Sequence, residues 1–195
     1  MVEKKIKISE TIELIGKKIY GQNFSLKDEK LYQSYKKVYE TLISDKKKGV
    51  CLVGGVGIGK SALMKTIQVL LKDTERRFKW VNSYELKDLS EQFTIGEIKA
   101  NYGASLNCDL YIDDIGFAVD VKRYGNTVNI ISDIIMERYD LFVNTGFRTH
   151  FSTNLLVSSS DFNVPTIEKI YGSRVLDRIK QMCTLVKWNS ESLRK

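Results

Sequence analysis

The chain has 195 residues and a mass of 22.4 kDa, which suffices for one domain of ordinary size and not for two. Hydrophobic residues make up 43% of the sequence and charged residues 28%, a balance that excludes an intrinsically disordered chain. The 31 Lys and Arg residues outnumber the 24 Asp and Glu residues, and the formal charge of +7 favours a polyanionic partner such as a nucleic acid.

Cysteine and histidine usage excludes several kinds of site. Cys51, Cys108 and Cys183 lie far apart, so neither a disulfide framework nor a zinc site with the single histidine is expected. His150 shares a strand face with Ser152, but no nucleophile elbow accompanies them, which favours a buried strand histidine over a hydrolase triad. The chain starts without a secretory signal, and no apolar run reaches the ~18–20 residues that cross a bilayer. We therefore expect a soluble cytoplasmic protein without a membrane partner.

Apolar residues at three- and four-residue steps predict helices, and short apolar runs predict buried strands. In the first half, the predicted elements are a helix over 28–44, a strand over 50–53, a helix over 60–72, a strand over 78–82, a helical region over 83–102 and a strand over 110–112. In the second half, they are a polar loop over 120–126, a helix over 127–142, a strand over 149–154, a helix with Pro165 in its first turn, a helix over 173–182 and a strand over 184–188. Gly49, after a basic run, is predicted to end the first helix in the left-handed conformation.

This alternation of strands and helices indicates an α/β fold with a mostly parallel sheet. Ligands of such sheets bind beyond the carboxyl ends of the strands. The polar residues that follow the predicted strands are therefore the first candidates for a functional site.

A glycine-rich turn joins the first predicted strand to the helix after it and matches the pattern G-x-x-x-x-G-K-[ST]. Glycines let backbone N–H groups turn inward around a phosphate, and the helix N-terminus adds positive potential. In this pattern the lysine reaches the β- and γ-phosphates and the hydroxyl ligates Mg²⁺. The sequence therefore predicts a nucleotide-phosphate site formed by Gly54, Gly55, Val56, Gly57, Ile58, Gly59, Lys60 and Ser61.

Two carboxylates, Asp113 and Asp114, follow the apolar run 110–112. Beside a phosphate loop, the first is suited to hold Mg²⁺ and the second to polarise an attacking water. We expect these two roles for Asp113 and Asp114.

Three further patterns leave alternatives open. Asn154 ends the next predicted strand, where it either contacts a γ-phosphate and orients water or forms a turn. Arg174 and Arg178 share one helix face, where they either stabilise the transition state on a neighbour's nucleotide or form a solvated face. The cluster 122–124 (Lys-Arg-Tyr) suits contact with nucleic acid and an ordinary exposed loop equally well.

The order of these parts resembles the DnaC/DnaI/IstB-like AAA+ ATPases, which are bacterial and phage replicative-helicase loaders and transposition helpers. The resemblance spans roughly residue 28 to the C-terminus, and its most discriminating segment is 172–179. The tail 186–190 is also similar to the end of the helicase loaders. The matching segments are Gly54–Ser61, Asp113-Asp114-Ile115-Gly116, Glu137-Arg138-Tyr139, Phe151-Ser152-Thr153-Asn154 and Gly172-Ser173-Arg174-Val175-Leu176-Asp177-Arg178-Ile179.

This resemblance implies a role for each matched position. It places Walker A at 54–61, Walker B at Asp113 and Asp114, and sensor one at Asn154. Arg178 matches the arginine finger that reaches the ATP of the adjacent subunit, with Arg174 as a second candidate. ATP and Mg²⁺ are the implied cofactors, and the implied assembly is an ATP-dependent, head-to-tail homo-oligomer.

The implied fold is a P-loop NTPase with an AAA+ core, a five-stranded, mostly parallel sheet flanked by helices and no C-terminal lid domain. We expect residues 28–195 to form the ATPase domain. Residues 1–27 form a short segment whose apolar pattern at Ile12, Ile15 and Ile19 suits partner binding. Asp114 stands where the family usually has glutamate, which predicts slow hydrolysis.

The predicted function is that of an ATPase that binds single-stranded DNA and loads a replicative helicase. The nearest alternative is an IstB-like transposition helper, whose partner is a transposase. A small P-loop nucleoside or nucleotide kinase is the alternative from another class. It would need an arginine-bearing lid, for which residues 116–126 are the available segment.

Overall fold

The computed structural model describes residues 8–21, 25, 29–43, 48–116, 120–123 and 126–188. Its helices are α1 (Ile8–Tyr20), α2 (Glu29–Ile43), α3 (Lys60–Leu71), α4 (Ser83–Gln92), α5 (Ile95–Tyr102), α6 (Ile130–Thr145), α7 (Ile167–Tyr171) and α8 (Ser173–Met182). Its strands are β1 (Gly49–Val53), β2 (Phe78–Asn82), β3 (Asp109–Ile115), β4 (Asp120–Arg123), β5 (Asn126–Asn129), β6 (Thr149–Thr153) and β7 (Cys183–Lys187).

Five strands form one sheet in the order β2-β3-β6-β1-β7, and every neighbouring pair in it is parallel. The predicted α/β class with a five-stranded parallel sheet is thereby confirmed. Because the strands run in one direction, their carboxyl ends share one edge of the sheet. Strand β6 lies between β1 and β3, so the phosphate loop after β1 and the acidic end of β3 flank the end of β6.

Helices cover both faces of the sheet and produce two apolar cores. Successive residues of β1 alternate between them: Val50 and Leu52 pack with α1, α2 and α3, whereas Cys51 and Val53 pack with helices α4 to α8. This two-sided burial explains why the strand reads as a continuous apolar run.

Buried charged side chains form hydrogen bonds at the amino-terminal ends of the strands. Arg148 Nε donates to Asp109 Oδ2 at 3.0 Å, and Arg148 Nη1 donates to the carbonyl of Leu42 at 2.8 Å. Arg138 Nε donates to Thr149 Oγ1 at 2.9 Å. These bonds attach α2 and α6 to the starts of β3 and β6, and they satisfy charges that would otherwise be costly to bury.

His150 is a fully buried strand residue, as its position predicts. Its Nδ1 accepts a hydrogen bond from the backbone N–H of Val50 at 3.2 Å. Burial, followed by the positive charges of Arg148 and Arg138, lowers the pKa of His150 well below 6.5. The folded protein therefore keeps this imidazole neutral.

Two predictions about local structure are wrong. Gly49 does not end a helix but begins β1, where a Cβ would lie 1.9 Å from the carbonyl oxygen of Thr149. The predicted polar loop over 120–126 is wrong for the residues that the structure describes, because β4 and β5 pair as antiparallel strands in which Asp120 is opposite Asn129, and residues 124–125 lie outside the described residues. Short, polar strands of this kind lack the apolar alternation that predicts a strand.

Two helix starts lie later than predicted because side chains cap them. Helix α6 begins at Ile130 and not at 127, since Asn129 Oδ1 accepts from the N–H of Ser132 at 3.0 Å. Helix α7 begins after Thr166, which caps it, so Pro165 precedes the helix and does not lie in its first turn.

Helix α1 packs along α3, and its Ile12 is buried in the core with α2 and α3. Leu14 and Ile19 remain exposed on the same helix, at 57% and 39% of their surface. Partner binding by this segment stays a prediction. In the described part of the chain, no helix combines the length and the hydropathy that a membrane span requires.

His150 gives a testable pH dependence. As the pH falls below 6.5, the unfolded chain takes up a proton at His150 that the folded chain rejects, so the free energy of unfolding should decrease. This histidine contributes a slope of at most about 1.4 kcal/mol per pH unit. Burial raises the pKa of the neighbouring Asp109, which acts in the opposite direction, so the comparison needs a variant.

Urea unfolding of the wild type and of His150→Asn between pH 7 and pH 5 measures the contribution of the histidine. The wild type should lose more stability than the variant over this interval, because His150 is the only histidine of the chain. Equal slopes in the two proteins would contradict the neutral, buried imidazole.

Candidate nucleotide site

The phosphate loop connects the end of β1 to the first residue of α3. Gly57 and Gly59 adopt positive φ angles of 77° and 90°, which favour glycine. Gly54 is needed for a different reason, because a Cβ there would lie 2.5 Å from the carbonyl oxygen of Trp188. Three of the four glycines predicted to shape the loop are therefore required by its backbone or its packing, whereas a Cβ at Gly55 would meet nothing within 4 Å.

Trp188, directly after β7, supports the loop from the interior. Its indole N–H donates to the carbonyl of Ile58 at 2.8 Å, and its backbone N–H donates to the carbonyl of Val53 at 2.7 Å. The side chain is 2% exposed and packs against Tyr35, with 5.6 Å between the ring centroids. Trp188 thus contacts both Val53, where the chain enters the loop, and Ile58, on the far side of the loop.

Lys60 lies within the loop, and only 7% of it is exposed. Its ammonium group donates to the carbonyls of Gly54 and Gly55, both at 2.7 Å, and to Asn154 Oδ1 at 2.8 Å. These three acceptors match the three protons of the group.

Asp113 is a buried residue of β3, and its carboxylate is the centre of a hydroxyl cluster. Asp113 Oδ1 accepts hydrogen bonds from Ser61 Oγ at 3.0 Å, Tyr111 Oη at 2.7 Å and Ser152 Oγ at 2.6 Å. The first of these contacts joins the phosphate loop to the acidic strand. A hydroxyl and a carboxylate in contact are oxygen ligands of the kind that Mg²⁺ prefers, so these residues fit the implied ion.

Asp114 has a backbone conformation that is uncommon for a residue with a side chain, with φ of 58°. Its N–H donates to Ser152 Oγ at 2.8 Å, and its carbonyl accepts from Ser83 Oγ at 2.6 Å. Asparagine and aspartate tolerate the left-handed region better than longer side chains do. This conformation is a physical reason for aspartate, and not the longer glutamate, at this position.

Asn154 follows β6 and connects the two halves of the site. Its Oδ1 accepts from Lys60, and its Nδ2 donates to Asp114 Oδ1 at 2.9 Å. The contact of this amide with a γ-phosphate or a water stays a prediction. The structure thus brings together five predicted site residues, which are Lys60, Ser61, Asp113, Asp114 and Asn154.

The two predicted arginines lie elsewhere, on α8. The Arg178 guanidinium packs over the ring of Tyr139 at 4.2 Å, and its Nη1 lies 3.4 Å from Gln181 Oε1 and 3.7 Å from Asp177 Oδ2. Arg174, one turn earlier, is exposed. Neither residue is part of the hydrogen-bonded group around Asp113 in the described structure.

Four residues of the site were not predicted as such: Ser83, Tyr111, Ser152 and Trp188. Spacing is the available signal for two of them, since the hydroxyl residues Tyr111 and Ser152 each lie two positions before a predicted site residue. Alternate residues of a strand share a face, so this spacing places their side chains beside Asp113 and Asn154.

The support by Trp188 can be tested with Trp188→Phe, which keeps a ring and removes the indole N–H. The carbonyl of Ile58 would then lose the indole donor inside the core, and we expect a loss of about 1–3 kcal/mol in the free energy of unfolding. Nucleotide affinity should also fall, because the loop backbone loses its support.

Urea unfolding measures the first effect, and titration with ADP measures the second. Tyr102→Phe is the control, because it changes one buried aromatic residue on α5, in the core on the opposite face of the sheet, and should cost less than about 1 kcal/mol. Wild-type stability and affinity in Trp188→Phe would contradict the role of this residue.

Comparison with family models and with curated protein sequences gives no match. Solved structures do match. A structure of DnaI is 17% identical, with a TM-score of 0.61, and the match covers 88% of this chain and 88% of that one. A DnaC helicase loader is 17% identical, with a TM-score of 0.58, and the match covers 86% of this chain and 95% of that one.

AMPPCP-bound DnaA from Aquifex aeolicus is 16% identical, with a TM-score of 0.58, over 82% of this chain. This chain spans about half of that DnaA chain, 47% of its length. At these identities the likeness concerns the fold. The chain therefore has the P-loop AAA+ fold of DnaI, the DnaC helicase loader and DnaA, in agreement with its resemblance to the DnaC/DnaI-like proteins.

Proposed function

We propose that the chain is an ATPase of the helicase-loader type, which binds ATP with Mg²⁺, assembles with copies of itself and acts on single-stranded DNA. One observation carries the proposal: Lys60, Ser61, Asp113, Asp114 and Asn154 lie together at the carboxyl ends of the strands, in one hydrogen-bonded group that Ser152 completes by joining Asp113 to Asp114. The fold that holds this group is shared over most of the length of DnaI and the DnaC helicase loader.

Binding begins with the loop and Lys60. The backbone N–H groups of residues 55–61 and the N-terminus of α3 provide positive potential for phosphates. Lys60 exchanges its acceptors, Gly54, Gly55 and Asn154, for oxygens of the β- and γ-phosphates. Ser61 and Asp113 would hold Mg²⁺, which would neutralise charge on the phosphates.

The exchange at Lys60 affects Asn154 as well. When the ammonium group moves to the phosphates, Asn154 Oδ1 loses its donor while Nδ2 keeps its contact with Asp114. The amide is then available to a water or to the γ-phosphate. ATP binding is in this way connected to the residue that orients the hydrolytic carboxylate.

Hydrolysis uses Asp114 as the group that accepts a proton from the attacking water. Asn154 restricts the orientation of this carboxylate through the hydrogen bond to Oδ1. Because aspartate is one methylene shorter than glutamate, we expect slow turnover.

None of the site residues named so far is an arginine that could stabilise the charge of the transition state. The contacts of Arg178 in its own chain are with Tyr139, Gln181 and Asp177, so we propose that Arg178 serves the ATP of an adjacent copy. Such an interface joins different surfaces of two copies, and repetition produces a ring or a spiral. The formal charge of +7 suits DNA as the polymer held by this assembly.

The test is ATP hydrolysis over a series of protein concentrations, with and without a single-stranded oligonucleotide. Specific activity should rise with protein concentration and rise further with single-stranded DNA. Arg178→Ala should reduce turnover by about a thousandfold or more, since arginine fingers contribute effects of that order. ATP binding should remain, because the finger belongs to the neighbouring copy.

Lys180→Ala is the matched control, because it removes one exposed positive charge from the same helix. Turnover that survives Arg178→Ala at every protein concentration would contradict the assignment of the finger. Stimulation by duplex but not single-stranded DNA would indicate a transposition helper instead. Transfer of phosphate to a nucleoside, and not to water, would indicate a kinase.

A further inference from the structure

The Asp113 carboxylate is 6% exposed and has three hydroxyl donors on a single oxygen, Oδ1. One donor, Ser61, is itself a proposed Mg²⁺ ligand, and its hydroxyl must turn to the ion when nucleotide binds. The other two, Tyr111 and Ser152, have no role in the proposed reaction. Their contacts with Asp113, at 2.7 Å and 2.6 Å, are the shorter ones.

The hydroxyl of Tyr111 is held in place by its ring. The residue is fully buried, and the ring packs against Trp80 at 4.4 Å and Phe78 at 6.0 Å between centroids. Tyr111 and Asp113 lie two residues apart on β3 and therefore share one face of the strand. The ring cannot turn its hydroxyl away from the carboxylate without displacing the core.

Ser152 connects both acidic residues. Its hydroxyl donates to Asp113 Oδ1 and accepts from the N–H of Asp114 at 2.8 Å. The residue is 1% exposed on β6, the strand between β1 and β3. It therefore holds the carboxylate of Asp113 and the left-handed backbone of Asp114 in a common arrangement.

We propose that Tyr111 and Ser152 are positioning residues that orient Asp113 toward Mg²⁺. Hydrogen-bond donors to a ligating carboxylate restrict its rotation, and their removal typically weakens metal binding by about 10–100-fold. Two hydroxyls on Oδ1 would fix the orientation of the carboxylate beside Ser61, the other residue that would hold the ion. This inference rests on the proposed nucleotide site and assigns to it two residues outside the Walker motifs.

The test compares nucleotide affinity in the presence of Mg²⁺ and in the presence of EDTA. A fluorescent ADP analogue is titrated into the wild type, Tyr111→Phe and Ser152→Ala, and the ratio of the two affinities gives the contribution of the ion. Tyr111→Phe removes the hydroxyl and keeps the ring. Circular dichroism melts without nucleotide report whether each variant folds.

We expect the ratio to fall by about tenfold in each variant, while the affinity in EDTA stays close to that of the wild type. Tyr102→Phe is the matched control, because it removes a tyrosine hydroxyl from α5, in the core on the opposite face of the sheet. Its ratio should equal that of the wild type.

A wild-type ratio in both Tyr111→Phe and Ser152→Ala would overturn the inference. A parallel loss of affinity in Mg²⁺ and EDTA would overturn it too, because it would show a structural role alone. Failure of the wild type to bind the analogue in either condition is a distinct result, which would overturn the proposed function itself.

Discussion

The position of β6 between β1 and β3 is the constraint on which the candidate site depends. In a parallel sheet, side chains after the carboxyl ends of adjacent strands are neighbours, and β6 contributes Ser152 and Asn154 between two chemically distinct partners. Asn154 contacts Lys60 on one side and Asp114 on the other. Without this strand order, the phosphate loop and the acidic pair would lack the connection that makes them one site.

The amino-terminal and carboxyl-terminal ends of the strands, here called the amino and carboxyl edges of the sheet, differ in their hydrogen bonds. At the amino edge, Arg138, Arg148 and Asp109 form buried polar contacts that attach helices to strands. At the carboxyl edge, hydrogen bonds join groups that, in the proposed function, exchange partners when phosphates bind, as Lys60 and Ser61 do. A firmly held edge opposite the site keeps the strand ends in register while the side chains there change partners.

How far the sequence predicts this structure depends on how local each signal is. The phosphate loop and the Asp113-Asp114 pair are contiguous motifs, and the alternation of strands and helices predicts the parallel sheet. Ser152 lies 39 positions from Asp113, and Trp188 lies 130 positions from Ile58, so their contacts depend on the tertiary fold. The β4–β5 pair and the strand role of Gly49 were missed for a related reason. Strand pairing decides the first, and the close approach of two backbones decides the second. Neither produces an apolar pattern in the sequence.

The central claim is that the loop after β1 holds the terminal phosphates of a nucleoside triphosphate. Calorimetric titration of the folded chain with ATP and MgCl₂ tests this most directly, with Lys60→Ala as the variant and Lys65→Ala, an exposed lysine on the same helix, as the control. We expect saturable binding to the wild type and to Lys65→Ala and at least about tenfold weaker binding to Lys60→Ala, which lacks the charged phosphate contact. No uptake of ATP or ADP by the folded wild type would contradict the account.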